Sequence, residues 1–142
     1  MNKYDIVLVV VLLLISLGSY AGLYMYTSGS EITDGLATVY YKDEKILEIA
    51  LEDGDYQIIN ADYVVNIDEE AFLYTVLGDN GHVVIEYREN QVGVIDEISP
   101  QNICQKQGFS NSPLSPITCL PNQIVIIITA PKTDDDLDEI VS

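Results

Sequence analysis

The stretch IVLVVVLLLISLGSYAGLYMY, residues 6–26, decides the architecture of this chain. It contains no charged side chain. At a rise of about 1.5 Å per residue it would form a helix of roughly 31 Å, which matches a hydrocarbon core of about 30 Å. A helix satisfies its own backbone hydrogen bonds, so lipid is a tolerable solvent for it. We therefore predict a transmembrane anchor over residues 6–26, in contact with membrane lipid, followed by one small soluble domain.

A cleaved secretory signal peptide is the alternative interpretation of this stretch. The small residues Gly18, Ser19, Ala21 and Gly22 suit a signal peptidase. The apolar core, however, is longer than that of a signal peptide and continues past them to Tyr26, while Lys3 is offset by Asp5. Length favours the uncleaved anchor, and both interpretations export the domain.

The charges that flank the span predict its orientation. Lys3 and the free amine place positive charge before the span, and Lys and Arg are scarce after it. The rule that positive charge stays inside then puts residues 1–5 in the cytoplasm and the domain on the outer side of the cell membrane, as a single-pass protein.

The span also contains a Gly-x-x-x-Gly pair, Gly18 and Gly22. Such small residues let a second helix approach closely. We treat the pair as a suspected helix-packing face for a membrane-protein partner of unknown identity or for a second copy. Ordinary use of glycine in a membrane helix is the alternative.

The part of the chain after the span is strongly acidic. Of the 23 acidic and six basic residues only Asp5 and Lys3 come before the span, so the exported part keeps the formal net charge of −17. This field repels phosphates, and we predict no nucleic-acid partner. Two cysteines and one histidine are too few for a four-ligand zinc site or an iron–sulfur cluster within one chain. No metal site and no cofactor are predicted.

Short β-rich runs separated by turn signals fill residues 37–130, after a linker at 27–36. We predict strands at 37–41, 46–51, 56–59, 63–67, 82–87, 92–97 and 123–130. The last should be a buried central strand, whereas 68–77 suits a helix and a strand equally. Asn80-Gly81 predicts a tight primed turn. The pattern is typical of an all-β fold, a small antiparallel sandwich or barrel-like domain with at most short helical turns, followed by an acidic disordered tail at 131–142.

Two short blocks carry a resemblance to a known family. They read Ile-Cys-Gln-Lys-Gln-Gly-Phe at 103–109 and Ile-Thr-Cys-Leu-Pro-Asn-Gln-Ile-Val-Ile-Ile at 117–127. With the N-terminal span and the β-rich body they resemble the NusG domain II family of small exported bacterial proteins. The motif residues fall on Cys104, Gln107, Gly108, Cys119, Leu120, Pro121 and Asn122. The resemblance covers nearly all of the chain, although many members have a further cysteine where this chain has Ser99.

The resemblance implies a membrane-linked role without naming a reaction. Members are grouped with flavin-linked and quinone-linked export functions, including extracellular electron transfer. This chain lacks the Asp-x-x-Thr-Gly-Ala-Thr type of sequence that carries covalent flavin, so we expect no flavin. We predict a membrane-tethered adaptor, an accessory subunit of a complex for electron transfer or transport. Its suspected interaction surface consists of Gln107, Gly108, Leu120, Pro121 and Asn122.

The two cysteines leave three alternatives open. Outside the cytoplasm a disulfide between Cys104 and Cys119 would persist, and closing a loop of about 15 residues would stabilise the fold by roughly 3 kcal/mol. The pair could instead remain as inert thiols. It could also cycle between thiol and disulfide in a redox protein, although Lys106 is the only activating neighbour that the sequence offers.

The sequence contains no recognisable catalytic constellation, and we predict that the protein is not an enzyme. The single histidine, His82, follows a turn and is expected to be exposed. No serine lies in a nucleophile elbow. Asp96 and Glu97 are adjacent and should point to opposite faces of a strand, which makes them a poor acid–base pair.

Overall fold

The structure is a computed structural model that describes residues 2–29 and 31–131. It divides into two units, a helical one up to Glu31 and a β-domain that starts at Ile32. The predicted acidic tail, apart from Pro131, lies outside the described residues.

Helix α1 spans Lys3–Ser28 and is long and apolar enough to cross a membrane. It begins after Asn2, whose backbone N–H donates to the Asp5 carboxylate at 3.0 Å. The hydroxyls of Ser16 and Ser19 are both satisfied inside the helix, where they donate at 2.9 Å to carbonyls one turn earlier. Such internal bonding lowers the cost of placing hydroxyls in lipid, which supports a membrane anchor.

The described part of the β-domain contains ten strands in two antiparallel sheets. The strands are β1 (Leu36–Tyr41), β2 (Glu44–Ala50), β3 (Tyr56–Ile58), β4 (Val64–Asp68), β5 (Leu73–Leu77), β6 (His82–Arg88), β7 (Gln91–Glu97), β8 (Phe109–Ser110), β9 (Ile117–Cys119) and β10 (Ile124–Thr129). Sheet A has the order β3-β2-β1-β10-β9, and sheet B the order β4-β5-β6-β7-β8. A short helix α2 (Ile103–Lys106) and 3-10 turns at Ala61–Tyr63 and Leu120–Asn122 complete the domain. The predicted all-β class with one N-terminal helix is confirmed.

Alternating side chains from both sheets form one core, because successive residues of a strand point to opposite faces. The fully buried members include Val39 and Ile126 from sheet A and Val76 and Ile85 from sheet B. The ambiguous stretch 68–77 ends in strand β5, whose Tyr74 and Val76 contribute to this core.

Strand β10 corrects one prediction. It is central in sheet A, between β1 and β9, but it is buried on only one face. Ile124, Ile126 and Ile128 point into the core, whereas Ile127 is 38% exposed. The continuous run of isoleucines therefore does not mean burial on both faces, because only the inner face of sheet A is covered by another sheet.

The turns correct a second prediction. Asn80-Gly81 does join a hairpin, but Leu77 lies opposite His82, so the loop has four residues instead of two. The Asn80 N–H donates to the Asn122 side chain at 3.0 Å, and this tertiary contact overrides the local turn preference. The two-residue turns with positive φ lie elsewhere, at 42–43 (φ 47° and 69°) and at 89–90 (φ 50° and 61°).

The first and last described strands of the domain are neighbours. Leu36 at the start of β1 lies opposite Thr129 at the end of β10. The linker therefore joins the domain at the same end of sheet A at which the last described residues leave it.

Candidate functional site

The two cysteines form a disulfide. Cys104 lies on α2 and Cys119 ends β9, and their Cα atoms are 5.2 Å apart. Neither residue has exposed surface. The bridge closes the loop between them and fastens α2 to the edge of sheet A.

A buried carboxylate lies beside this bridge. Glu97, the last residue of β7, is only 6% exposed. Its Oε1 accepts hydrogen bonds from the backbone N–H groups of Cys104 at 2.7 Å and Gln105 at 3.3 Å. The carboxylate thus accepts hydrogen bonds from backbone N–H groups in the first turn of α2, which have no partner within the helix, and it fixes the position of Cys104. The second oxygen, Oε2, lies 2.8 Å from the Cys104 sulfur.

Sequence reasoning missed this role of Glu97. If inward and outward side chains alternated strictly from Val92 and Val94, Asp96 would point inward. The pairing with β6 is shifted, however, because Ile85 lies opposite Val94 whereas the preceding residue, Val84, lies opposite Asp96. This leaves Ile95 as the extra residue of a β-bulge, which shifts the inward side by one residue. The prediction that the adjacent acids face opposite ways is confirmed, since Asp96 is exposed. Its carboxylate lies 3.4 Å from the partly exposed ring of His82.

Gln107 seals the edge of sheet A. Its side-chain amide donates to the Thr118 carbonyl at 2.7 Å, and its side-chain oxygen accepts from the Thr118 N–H at 3.0 Å. Thr118 lies on β9, the outermost strand, whose free backbone groups would otherwise attract another strand. The side chain therefore takes the place of a neighbouring strand. The backbone then turns at Gly108, which has a φ of 76° that favours glycine.

Pro121 and Asn122 connect the two sheets. Asn122 has no exposed surface, and its side chain donates to the Ile98 carbonyl at 3.2 Å and accepts from the Asn80 N–H at 3.0 Å. The Pro121 carbonyl accepts from the Asn80 side chain at 2.8 Å. The Asn122 carbonyl accepts from the Asp79 N–H at 3.2 Å. The 3-10 turn after β9 is thereby fastened to the loop between β5 and β6.

The same loop holds a charged contact. Asp79 accepts from the Tyr41 hydroxyl at 2.6 Å and pairs with Lys42 at 2.8 Å. The hydrogen bond from Lys42, and next that from Tyr41, lowers the pKa of Asp79, and Asp79 in turn raises the pKa of Lys42. The charge of Lys42 is therefore balanced within the domain.

A groove on the outer face of sheet A has a volume of about 850 Å³. Its lining residues are Tyr40, Lys42, Asp43, Cys119, Leu120, Gln123, Val125 and Ile127. We call it the Leu120 groove, because the Leu120 side chain is 77% exposed at its edge. It is mostly apolar, and Lys42 and Asp43 supply one charge of each sign.

The comparisons with known proteins agree with this architecture. A family model described as NusG domain II matches residues 6–132. The chain belongs to the NusG domain II family. The matched region includes the apolar helix, so that helix is part of the architecture this member shares with its family.

Solved structures similar to this NusG domain II chain show the same fold. A DUF1312 family protein from Enterococcus faecalis is 17% identical, with 69% of this chain and 99% of that one covered and a TM-score of 0.52. The solution structure of the Lin0431 protein from Listeria innocua is 20% identical, with 80% and 91% covered and a TM-score of 0.52. Its crystal structure gives 19% identity, 70% and 100% coverage, and a TM-score of 0.51. A search of curated proteins finds no match.

The predicted interaction surface of this NusG domain II protein needs a correction. Asn122 is fully buried, so it cannot belong to a contact surface, and the amide of Gln107 is occupied by Thr118. Asn122 also leaves no room for a side chain at position 78, because a Cβ added to Gly78 would lie 2.5 Å from the Cβ of Asn122. Of the predicted residues, Leu120 presents a large free apolar side chain.

A smaller concavity has a volume of about 330 Å³. Its lining residues are Asp53, Gly54, Asp55, Tyr56, Glu69, Phe72 and Tyr74. The buried Tyr74 hydroxyl donates to the Gly54 carbonyl, and burial, followed by the charge of Asp55, raises its pKa to about 12. The Tyr56 hydroxyl donates to Glu69 at 2.6 Å, and this bond raises its pKa. Both phenols therefore serve internal contacts.

Proposed function

We propose that this NusG domain II protein is a membrane-tethered binding module that acts by contact and not by catalysis. Its domain stands on the outer side of the cell membrane and holds a protein partner through the Leu120 groove. The exposure of Leu120 carries the proposal, because a leucine that is 77% exposed beside an apolar concavity is typical of an interaction site.

The outer face of sheet A supports this choice. Tyr40 and Val125 pair across β1 and β10, and Ile127 follows on the same face. These side chains lie on a central strand pair whose inner face is already packed into the core. When an apolar side chain of a partner enters the groove, water leaves both that side chain and the groove residues. Fully desolvated contacts of this kind supply most of the binding energy at protein interfaces.

Charge favours a protein surface over lipid as the partner. The chain has a formal net charge of −17, which repels anionic headgroups. Asp79 balances Lys42, so Asp43 is the one unbalanced charge among the described lining residues, and the mostly apolar groove suits an uncharged apolar protein segment. We propose that this partner is a membrane protein of an electron-transfer or transport complex, as the family's grouping implies, and that Gly18 and Gly22 assist its docking within the membrane.

Site-specific crosslinking in intact cells tests the proposal. A photoreactive residue at position 120 should give one discrete adduct with a membrane protein, whereas one at Val65, which is 60% exposed on β4 of sheet B, should not. Ile127→Asp should abolish the adduct from position 120, and the matched control Val65→Asp should leave it unchanged. Equal adducts from positions 120 and 65, or none from 120, would contradict the proposal.

The thiol–disulfide redox function remains the alternative, and one measurement separates it from the adaptor. Both sulfur-bearing residues are fully buried, so a structural bridge should react with a soluble dithiol only after local opening. We expect full-length protein in detergent to keep the bridge at potentials where cellular dithiols are reduced. A reduction potential close to that of those dithiols would favour the redox function.

A further inference from the structure

Three side chains that can each bind a metal ion lie close together at the disulfide. One carboxylate oxygen of Glu97 and the sulfurs of Cys104 and Cys119 all lie within 4.8 Å of one another, and all three residues are buried. Two thiolates and a carboxylate are a ligand set that zinc-class cations accept.

One oxygen of this set is not used to cap α2. The capping of α2 uses only Oε1 of Glu97, which accepts from Cys104 and Gln105. Oε2 faces the Cys104 sulfur at 2.8 Å, and a disulfide sulfur carries no hydrogen. Among residues 2–29 and 31–131 no N–H or O–H group donates to this oxygen, although Glu97 is 6% exposed. Oε2 therefore takes no part in the capping of α2 and remains available to a ligand.

We propose that the reduced cysteine pair and Glu97 form a binding site for one divalent cation of the zinc class. Cys104, Cys119 and Oε2 of Glu97 supply three ligands, and a water molecule completes a tetrahedron. Zinc binds sulfur at about 2.3 Å and carboxylate oxygen at about 2.0–2.2 Å, which places neighbouring ligand atoms roughly 3.5–3.8 Å apart. The ligand atoms already lie within 4.8 Å of one another, and after reduction the two sulfurs must move apart from bonding distance to reach this spacing.

The redox state of the bridge controls the site. A dithiol whose reduction potential lies below that of the bridge transfers two electrons and two protons to the disulfide; the sulfur–sulfur bond breaks, two thiols form, and the dithiol becomes a disulfide. Binding of the cation then replaces the two thiol protons, which leave to solvent. The oxidised protein offers no thiolate and therefore should not bind the cation at this position.

The fold also provides a route to the carboxylate ligand. Glu97 lines an open pocket of about 560 Å³ together with Asn80, Ile98, Ser99 and Pro100. A hydrated cation can reach the carboxylate from this side without unfolding the strands.

Cadmium titration of full-length protein in detergent tests the site. After reduction by a phosphine, Cd²⁺ should bind with one ion per chain and give the ultraviolet charge-transfer absorption of two thiolates, and Zn²⁺ should compete. The oxidised protein should show no such absorption. Failure of the reduced, folded protein to bind, or equal binding by the oxidised protein, would overturn the proposal.

Variants of Glu97 test the third ligand. Glu97→Gln should weaken Cd²⁺ binding by roughly tenfold or more, and Glu97→Asp, which keeps a carboxylate, should recover part of that loss. The matched control is Asp96→Asn, the adjacent exposed acid on the opposite face, which should bind as the wild type does. Wild-type affinity in Glu97→Gln, or equal loss in the Gln and Asp variants, would remove Glu97 from the site. Circular dichroism of each reduced variant, with and without Cd²⁺, separates lost binding from lost folding.

Discussion

Asn122 shows how a single side chain can hold two sheets in register. Both polar ends of its amide are used, one by the Ile98 carbonyl and one by the Asn80 N–H. Because the residue has no exposed surface, water cannot replace either partner. The Cys-Leu-Pro-Asn block therefore contains a structural asparagine beside an exposed leucine.

Replacement of Asn122 by alanine should destabilise the domain by about 2–4 kcal/mol. Two part-buried hydrogen bonds would be lost, each worth about 0.5–1.5 kcal/mol, together with the packing of a fully buried side chain. Chemical denaturation of full-length protein in detergent measures the loss. Asn66→Ala, at an exposed position on β4, is the matched control and should change stability by at most about 0.5 kcal/mol. An equal effect of the two substitutions would contradict the structural role of Asn122.

The raised pKa of Tyr74 should make the stability of the folded domain depend on pH in the alkaline range. Its pKa is raised to about 12 in the folded protein, against about 10 in the unfolded chain, so the folded state holds the phenolic proton more tightly. Its contribution is therefore fully present below pH about 10 and is lost as the pH rises through about 12. Denaturation at a series of pH values should show this decline.

Tyr74→Phe tests the assignment. The variant should be about 1 kcal/mol less stable near neutral pH, because the hydrogen bond to the Gly54 carbonyl is lost. Its stability should decline less steeply between pH 10 and 12 than that of the wild type. A parallel decline in both proteins would assign the pH dependence to other groups.

At the scale of single elements, the strand edges of sheet A are protected by different means. β3 has only three residues, Tyr56–Ile58, and so offers a short edge. β9 is equally short and is covered by the side chain of Gln107. Short or covered edges prevent pairing between chains, which matters for a protein that is concentrated on a membrane.

Gln107→Ala should uncover the edge of β9. We expect a loss of about 1–2 kcal/mol from the two missing hydrogen bonds, faster hydrogen exchange at the Thr118 amide, and self-association at high concentration. Light scattering and exchange measurements on full-length protein check these effects. Gln105→Ala changes an exposed glutamine two residues earlier, on α2, and should leave the Thr118 amide protected. Slow exchange at Thr118 in Gln107→Ala would show that the side chain is not needed.

The elements of this fold could largely be predicted from local patterns, whereas the contacts between them could not. Alternation and turn residues located the hairpins, because both are properties of short segments. The inward turn of Glu97 depends on a bulge at Ile95, which arises from pairing with β6 and has no local signature. The four-residue loop at Asn80 depends in the same way on the distant Asn122.

The same limit applied to the candidate site. The motif blocks identified the cysteines and the residues around them, but sequence position could not separate exposed from buried members. Leu120 and Asn122 are two residues apart in one 3-10 turn, and one points to solvent while the other lies in the core. Only the packing of that turn on the loop between β5 and β6 decides which is which.

At the scale of the whole molecule, an apolar helix and an acidic β-domain are combined in one chain. We expect the helix to remain as an uncleaved anchor with the domain outside. Protease added to intact cells should remove the domain, while a cytosolic marker protein stays intact. Mass spectrometry of the purified membrane protein should recover the segment at 6–26. Recovery of the full-length chain from the cytosol, or of a mature protein without this segment, would contradict the expectation.

The pairing of Leu36 with Thr129 has a mechanical consequence. Tension applied between the membrane and the residues after β10 would pull on β1 and β10 at the same end of the strand pair. The hydrogen bonds between them lie perpendicular to the strands, so they would be loaded one after another, as in a zipper, and not all together in shear. The domain should therefore yield at low force when pulled along its own chain, and a partner that grips the outer face of both strands would make it stiffer.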